Sequence, residues 1–401
     1  MSSPLRVLYL GTSFPPGHVD LHPGINPAGH TFEVGMLEEL SRLCDLRSVT
    51  TLPVRLAERA ASSPPNASRG WPHDLVLLDA PPHLLNRWRS IRQLRRWLEQ
   101  QIRTGWRPDV VMVYNTMPIH NAFVRGRRDT QGPARVLLML DSPRLGQRQS
   151  LSKRVRTRLT PYRHSEDEML TSFEGCIGLS REMERHFTPK RIPFLWMPGG
   201  CSLSRAALAQ EPVLTEDHKR SLRFGYFGSL GPHAGAVELA RIFAGLDSPH
   251  ELVLCGYGKQ AAELRELARR HSRIRFDGWL ETAADTMRFG SGCDVLVSPR
   301  PPGYGNEHNF PSKLFDYALC GRAVVSTRLS GADTVLGPEA FLVEAGNFRE
   351  SLLAALRAAG ACSPAELLRR GRAIRSQVMA HYSWNIQAAR IAGFLTQIAG
   401  R

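Results

Sequence analysis

Strand-like and helix-like segments alternate along the whole of this 401-residue chain. Helical spacing of apolar residues marks segments such as 28–43, where Phe32, Met36, Leu40 and Leu43 share a face. Alternation of this kind predicts parallel sheets covered by helices on both faces. The strand candidates form two series: 5–10, 74–78, 109–114, 135–140 and 176–179, then 222–227, 251–255, 273–276, 293–298, 323–326 and 340–343.

Two such series predict two doubly wound α/β domains, each binding its ligands at the carboxyl ends of its strands. The boundary between the domains is expected within 188–222, where proline and glycine interrupt the pattern at 188–193 and 197–200.

Positive charge is concentrated in one fifth of the chain. The formal net charge is +15, and residues 84–163 contain 18 Arg and Lys against four acids, a local excess of +14. Such a surface predicts an anionic partner: a membrane surface, a nucleic acid or a phosphorylated substrate.

The basic region has two interpretations. An apolar helical stripe is flanked by arginines at 84–103, and a similar pattern recurs at 151–159. The stripe would either lie in the headgroups of an anionic membrane or pack on the sheet and leave the arginines in solvent. The first pattern consists of Leu84, Trp88, Ile91, Leu94, Leu98 and Ile102 with Arg87, Arg89, Arg92, Arg95, Arg96 and Arg103.

The seven cysteines are widely spread and never spaced as C-x-x-C, which argues against a disulfide framework or structural zinc and favours a reducing compartment. No apolar run reaches the length of a membrane-spanning helix. These features predict a cytoplasmic protein that binds peripherally to the inner face of a membrane.

Residues 309–327 predict a loop, a helix and a buried strand in succession. Pro311 suits the first turn of a helix, and Gly321 suits its end. Lys313 would lie in the first turn, where the positive end of the helix dipole disfavours a cation. A bound anion would remove this conflict, so the stretch predicts a phosphate site. Asp316, one turn later, is placed to accept hydrogen bonds from a sugar hydroxyl.

The chain resembles the retaining glycosyltransferases of family 4 in the order of its motifs, over essentially its whole length. The segments that carry the resemblance are 194–200, 224–231, 254–258, 274–278, 311–325 and 383–384. The resemblance implies the GT-B fold, in which two Rossmann-like domains face each other across a cleft. It implies an acceptor-binding domain at 1–195, completed by a C-terminal helix at 384–401, and a nucleotide-sugar donor-binding domain at 196–383.

The same resemblance places the nucleotide ribose on Asp316 and the diphosphate at the backbone N–H groups of 309–312. Ser229 and Ala234 stand about where the family carries an Arg and a Lys on the diphosphate, so other cations are expected to compensate. The candidates are Lys313, Arg300 and Arg322. The residues predicted to bind the donor are Gly228, Ser229, His233, Arg300, Asn309, Phe310, Pro311, Ser312, Lys313 and Asp316.

Three residues are predicted to act in catalysis. The family's second acid precedes the ribose carboxylate by eight residues; His308 holds that position here and Glu307 is next to it. Asp141 ends the strand at 136–140 and is the candidate base. Retaining transfer needs no strong base, because the leaving phosphate can take the proton. No metal is expected, since basic groups and helix N-termini stabilise the leaving group.

The loop after the first strand is predicted to face the acceptor, starting from Gly11 and Thr12 and including His18 and His22. The two histidines have metal-ligand spacing, but no third ligand can be nominated.

The sequence thus predicts a retaining, metal-independent glycosyltransferase. Its co-substrate is a nucleotide sugar, it needs no cofactor, and its acceptor is a lipid-linked or cell-envelope glycan. Two alternatives remain open: a glycosyltransferase acting on nucleic acid, such as a modified DNA base, and a catalytically inactive binding protein with the GT-B shape.

Overall fold

The computed structural model describes residues 3–12, 27–53, 74–80, 84–115, 120, 123–124, 132–140, 172–209 and 221–400. The chain divides into two compact units. Unit 1 comprises Met1–Met197 and Trp384–Arg401, and unit 2 comprises Pro198–Ser383.

Unit 1 contains a seven-stranded sheet in the order β3-β2-β1-β4-β5-β6-β7. Every strand in it runs parallel to its neighbours. The strands are β1 (Arg6–Gly11), β2 (Asp45–Pro53), β3 (Asp74–Ala80), β4 (Val110–Tyr114), β5 (Ala134–Met139), β6 (Gly175–Gly178) and β7 (Phe194–Trp196).

Helices pack against this sheet. The closing helix meets the first one where Phe32 lies edge-on to Trp384, with ring centroids 5.0 Å apart. Gly35 permits this contact, since a Cβ there would lie 2.2 Å from Trp384 Nε1. The helices are α1 (Pro27–Leu40), α2 (Leu84–Arg103), α3 (Arg181–Phe187) and, after unit 2, α12 (Trp384–Ala399).

Unit 2 contains a six-stranded parallel sheet in the order β10-β9-β8-β11-β12-β13. Alternate strand residues such as Phe224, Tyr226, Leu252 and Leu254 join one buried apolar cluster. The strands are β8 (Arg223–Ser229), β9 (Glu251–Tyr257), β10 (Ile274–Phe276), β11 (Val295–Ser298), β12 (Ala323–Thr327) and β13 (Phe341–Val343).

The helices of unit 2 lie between these strands in the chain. They are α4 (Leu203–Ala206), α5 (Ala236–Ala244), α6 (Ala261–Arg270), α7 (Ala283–Ser291), α8 (Lys313–Leu319), α9 (Ala332–Leu336), α10 (Phe348–Gly360) and α11 (Pro364–Tyr382).

The prediction of two doubly wound α/β domains is confirmed, with corrections in detail. Strand β2 was missed, because its polar residues hide it. Ser48 and Thr50 are fully buried there. Leu43 was wrongly placed on the buried face of α1; the helix ends at Leu40, and Leu43 is 48% exposed.

The described part of the apolar stripe of α2 packs against the core of unit 1, except near the end of the helix. Ile91 and Leu94 are buried, and Leu98 packs against the core of unit 1 together with Trp97. Ile102, near the end of the helix, is 41% exposed. The arginines of this helix whose side chains are described, Arg92, Arg95, Arg96 and Arg103, are exposed, as the second interpretation of the basic region predicts. The segment at 151–159 lies outside the described residues.

All seven cysteines carry free thiols. Six are buried, and Cys362 is half-buried. None of the helices in the described ranges is both long enough and apolar enough to cross a bilayer.

Gly371 and Gly393 form a matched pair for testing how closely α11 packs. A Cβ on Gly371 would lie 2.3 Å from the Gly321 carbonyl oxygen, whereas one on Gly393 meets nothing within 4 Å. Gly371→Ala should therefore destabilise unit 2 by about 2 kcal/mol, because backbone must move. Gly393→Ala should stabilise unit 1 by up to about 1 kcal/mol through helix propensity.

Urea unfolding monitored in each variant measures both changes. A Gly371→Ala protein at least as stable as wild type would show that α11 does not press on the turn after α8.

Candidate functional site

The carboxyl end of β8 is the topological switch point of unit 2. Strand β8 lies between β9 on one side and β11 on the other, so the connections diverge there. Ligands of doubly wound sheets bind in the crevice that this divergence opens. The loops that follow Ser229 and Ser298 therefore begin at the position where a ligand is expected.

Lys313 is held at this end of β8 by aromatic rings. Its Nζ lies 4.0 Å from the ring centre of Tyr226 and 5.7 Å from that of Tyr317. Gly228 leaves room for the side chain, since a Cβ there would lie 3.4 Å from Lys313 Cδ. Burial, and secondarily the positive charge of Arg300, hold the pKa of Lys313 well below its ordinary value. The ammonium has no acidic partner among the described residues.

Arg300 follows β11 and supplies the second cation. Its Nη1 donates to the Asn309 carbonyl at 2.9 Å, and its Nη2 donates to Asn306 Oδ1. Burial lowers its pKa to about 10, although Tyr226 and Glu307 act in the opposite direction. A guanidinium keeps its charge at that value, so the site holds a fixed positive charge at neutral pH.

Asn306 organises the loop that carries Arg300. It is 1% exposed, and its Nδ2 donates to the carbonyls of His233 at 2.9 Å and Pro301 at 2.7 Å. Its own carbonyl accepts from Ser330 Oγ at 2.6 Å. The side-chain amide of Asn306 thus joins the loop after β11 to the 3₁₀ turn Pro232–Ala234, and its backbone carbonyl joins this loop to the segment after β12.

His233 brings a third basic group to the same place. Its Nε2 lies 3.4 Å from Ser229 Oγ. Burial, Arg300 and Lys313 all lower its pKa, so the imidazole is neutral at neutral pH. Arg300 and Lys313 both lower the pKa of His233, and Arg300 lowers that of Lys313. The three predicted donor-binding groups therefore lie close together.

The loop before α8 departs from the predicted helix start. Helix α8 begins at Lys313 with Ser312 as its N-cap, so Pro311 lies before the helix rather than in its first turn. The Ser312 side chain makes no capping hydrogen bond. Phe310 is buried, with its ring centroid 5.3 Å from that of Phe315, and it anchors this loop in the core.

Glu307 and His308, both predicted to be catalytic, lie in this loop. Glu307 Oε1 accepts a hydrogen bond from the Gly303 N–H at 2.5 Å, which closes a turn within the loop. Glu307 also interacts electrostatically with Arg300. His308 is half-buried.

Arg322 was wrongly nominated as a compensating cation. It precedes β12, at the amino-terminal edge of the sheet, whereas the switch point lies at the carboxyl-terminal edge. Its Nη2 donates to the Ser291 carbonyl at the end of α7.

Asp316 lies in the first turn of α8 and faces an arginine. Its Oδ1 is 3.4 Å from Arg205 Nε, and both side chains are mostly buried, at 21% and 25% exposure. Burial raises the pKa of Asp316, and Arg205 counteracts this rise. The predicted ribose ligand is therefore a carboxylate held beside a cation.

Two large aromatic side chains stand exposed after β9 and β10. Tyr257 is 49% exposed and Trp279 is 53% exposed. They meet edge to face, with ring centroids 4.5 Å apart. They therefore present an apolar surface to solvent at the ends of β9 and β10, the two strands on one side of β8.

In unit 1, Gly11 and Thr12 are fixed by a buried carboxylate. Glu33 is fully buried and accepts from Tyr9 Oη at 2.8 Å, from the Thr12 N–H at 2.9 Å and from Thr12 Oγ1 at 2.5 Å. Gly11 is required beside it, since a Cβ there would lie 2.4 Å from Glu33 Oε2. His18 and His22 lie outside the described residues.

Two more polar residues follow β4 at the carboxyl edge of the same sheet. Asn115 has a φ of 48°, and its Oδ1 accepts from the Leu140 N–H at 2.8 Å, which joins the ends of β4 and β5. His120 is fully buried, and burial lowers its pKa to about 4. Asp141, the predicted base, follows Leu140 but lies outside the described residues.

The sequence did not identify the residues that hold the site in place from outside its motifs. Arg205 lies on a helix of one turn and Asn306 in a loop, both too short to show a period in the sequence, and nothing in the sequence marks their partners. Glu33 carried a signal: it follows Phe32 on the inward side of α1, where an acid has no reason to be unless it is bonded.

The arrangement in unit 2 suits a ligand that carries both an anionic group and a ring bearing hydrogen-bond donors. Arg300 and Lys313 supply charge without a compensating ion pair among the described residues, and Asp316 offers a hydrogen-bond acceptor. Within those residues no three His, Cys, Asp or Glu side chains converge as a metal site.

Comparison with known proteins gives a consistent result. Residues 221–359 match the family model described as Glycosyl transferases group 1. Anabaena HepE, solved in complex with UDP and glucose, superposes with a TM-score of 0.61 at 14% identity, covering 98% of this chain and 100% of HepE. No curated protein sequence matches the chain.

Two further structures show the same fold. The lipopolysaccharide outer core galactosyltransferase WaaB gives a TM-score of 0.67 at 12% identity, covering 98% of this chain and 100% of WaaB. The α,α-trehalose 6-phosphate synthase of Burkholderia multivorans gives 0.67 at 13% identity, covering 99% of each chain. The predicted resemblance to glycosyltransferases of the GT-B fold is confirmed, whereas membership of family 4 stays a prediction.

Asn306→Ala should destabilise unit 2 by about 3 kcal/mol. The substitution removes the donor to two partly buried carbonyls and the acceptor of a partly buried guanidinium, and polar groups left unpaired away from water are costly. Urea unfolding measures the loss.

Asn347→Ala is the matched control, because Asn347 is the N-cap of α10 but makes no side-chain capping bond. Equal effects of the two substitutions would show that Asn306 does not organise the loop.

Proposed function

We propose that this protein is a glycosyltransferase that moves a sugar from a nucleoside-diphosphate sugar to an acceptor hydroxyl. The observation that carries the proposal is the pair of cations, Arg300 and Lys313, at the switch point of unit 2. Both are buried from much of the solvent, and neither forms an ion pair with a carboxylate among the described residues, although Glu307 acts electrostatically on Arg300. A diphosphate would supply the missing negative charge.

The remaining donor contacts are assigned around this pair. Asp316 accepts from the ribose hydroxyls, and the exposed rings of Tyr257 and Trp279 offer an apolar surface for the base. Unit 2 is thereby the donor-binding domain and unit 1 the acceptor-binding domain. The further donor-binding residues are Gly228, Ser229, His233, Asn309, Phe310, Pro311 and Ser312.

The proposed transfer retains the configuration of the anomeric carbon and needs no metal. Arg300 and Lys313 offset the charge that develops on the leaving diphosphate, which is the electrostatic role that a metal plays elsewhere. The acceptor hydroxyl attacks from the face that the diphosphate leaves, and its proton passes to the leaving phosphate. Glu307, His308 and Asp141 are the proposed catalytic side chains.

The proposed acceptor is a lipid-linked or cell-envelope glycan, with Gly11, Thr12, His18 and His22 on the acceptor side. WaaB, whose fold is similar, acts on lipopolysaccharide outer core, which supports an envelope acceptor. The enzyme is proposed to work in the cytoplasm at the inner face of the membrane. Its attachment would be electrostatic, because the described apolar stripe of α2 is engaged in the core of unit 1.

One face of α2 is suited to that attachment. Four exposed arginines recur at helical spacing on it, with Glu99 among them. None has an ion-pair partner among the described residues. The four are Arg92, Arg95, Arg96 and Arg103.

Nucleoside diphosphates should raise the melting temperature of the wild-type protein. A ligand at about 100 times its Kd stabilises the native state by about 2.7 kcal/mol, a shift of several degrees. Lys313→Ala should nearly abolish the shift, because the Tyr226 ring would then face the phosphates without its cation. Thermal unfolding with UDP, GDP, ADP and dTDP measures this.

Lys190→Ala, which removes a lysine from unit 1, is the control and should keep the shift. A Lys313→Ala protein with unchanged nucleotide affinity would show that the diphosphate site is misplaced. No shift with any of the four nucleotides in wild type would refute the donor assignment.

Anionic vesicles should bind the protein through the arginine face of α2. Each arginine near such a surface contributes roughly 1 kcal/mol, so replacing four by glutamine should weaken binding by 100-fold or more. Flotation with phosphatidylserine and phosphatidylcholine vesicles at low and physiological salt measures the effect.

The control replaces four exposed arginines of unit 2, which changes the net charge equally. It should bind anionic vesicles like wild type. Equal loss in both variants would mean that net charge alone attracts the protein, and tighter binding to duplex DNA than to vesicles would favour a nucleic-acid acceptor. The control residues are Arg241, Arg269, Arg270 and Arg349.

A further inference from the structure

We propose that Arg205 is a positioning residue that holds the Asp316 carboxylate charged and oriented to accept the ribose hydroxyls of the donor. The inference rests on the proposed nucleotide site and adds to it a residue from outside every recognised motif. Arg205 acts through Asp316 and is not assigned a contact with the ligand.

The geometry of the pair leaves Asp316 free to accept. Arg205 Nε lies 3.4 Å from Asp316 Oδ1, so the two groups form an ion pair without a hydrogen bond between these atoms. No hydrogen-bond donor among the described residues reaches the Asp316 carboxylate, and Arg205 Nε is buried without a hydrogen-bond partner. A carboxylate in this state has charge compensation but unused acceptor capacity, which suits a pair of neighbouring hydroxyls.

Two hydrogen bonds with α11 hold the backbone segment that carries Arg205 in place. It lies on the short helix α4, whose Ala206 is buried and accepts at its carbonyl from Arg375 Nη2 at 3.2 Å. The segment before α4 is fixed to the end of α11, where the Cys201 N–H donates to the Tyr382 carbonyl at 2.8 Å. The backbone that carries Arg205 is therefore fixed before a ligand binds.

The charge of Arg205 affects the protonation of the Asp316 carboxyl group. Burial favours the protonated form of Asp316, which would donate rather than accept at one oxygen. Arg205 acts against that effect. The other titratable groups that sense the Asp316 charge are the thiols of Cys201 and Cys320, whose raised pKa values keep them neutral. Within the described part of unit 2, Arg205 is thus the cation that opposes protonation of Asp316.

The pair can be tested by calorimetric titration with UDP-glucose across a series of pH values. This probe is chosen because its diphosphate is a diester and keeps its charge as the pH falls. Arg205→Gln should weaken binding about tenfold at neutral pH, the scale of a lost interaction with a charged group. As the pH is lowered, the affinity of this variant should also begin to fall at a higher pH than that of wild type, because Asp316 protonates more easily without Arg205. Arg205→Lys should restore both properties in large part.

Asp316→Asn completes a double-mutant cycle. It should remove the acid-dependent loss, and adding Arg205→Gln to it should weaken binding little further. A purely structural role for Arg205 would instead weaken binding by the same factor in both backgrounds and leave the pH dependence unchanged. Arg241→Gln, which removes an exposed arginine from α5, is the control and should match wild type.

The outcomes separate this inference from the function on which it rests. If wild type binds UDP-glucose and Arg205→Gln binds it with the same affinity and pH dependence, the inference is wrong and the nucleotide site stands. If wild type binds neither UDP-glucose nor the glucose esters of GDP, ADP and dTDP, both fail; if it binds one of these esters instead, the titrations use that ester. If Arg205→Gln melts at too low a temperature to titrate, Arg205→Lys and the double variant, which leaves no unpaired acid, decide the question.

Discussion

A buried amide holds the charged loop of unit 2 in place. Asn306 bonds to two carbonyls from different segments and accepts from Arg300, so the guanidinium cannot retreat into solvent. Lys313 is confined in a similar way by the rings of Tyr226 and Tyr317. Burial lowers the pKa of both groups, and the positive charge of Arg300 lowers that of Lys313 further, so holding these two basic groups together costs stability.

The fold was predictable because its dominant signal is local. Parallel strands buried on both faces read as apolar runs, and β4, β9 and β12 are of this kind. Strand β2 escaped because Ser48 and Thr50 are buried polar residues, which an apolar pattern does not detect. The end of α1 was misplaced for a related reason: Leu43 continues the helical spacing after the helix has ended.

The candidate site was predictable only where a motif marks it. Lys313 was singled out by its unfavourable place at a helix start, and Arg300 was nominated only as a cation that could compensate for the missing basic pair. Arg205 and Asn306 could not be found in this way, because their roles depend on contacts between segments distant in sequence. Arg322 shows the converse error, since nearness to the motif in sequence placed it at the wrong edge of the sheet.

The buried thiols give the chain a built-in reporter of its own opening. Burial raises the pKa of Cys44 and Cys201 to about 11 and that of Cys255 and Cys293 to about 12, so these thiols are unreactive while the surrounding structure is closed. Cys44 and Cys176 belong to unit 1, whereas Cys201, Cys255, Cys293 and Cys320 belong to unit 2. The rate at which each is alkylated therefore reads the local unfolding equilibrium at its own position, without any engineered label.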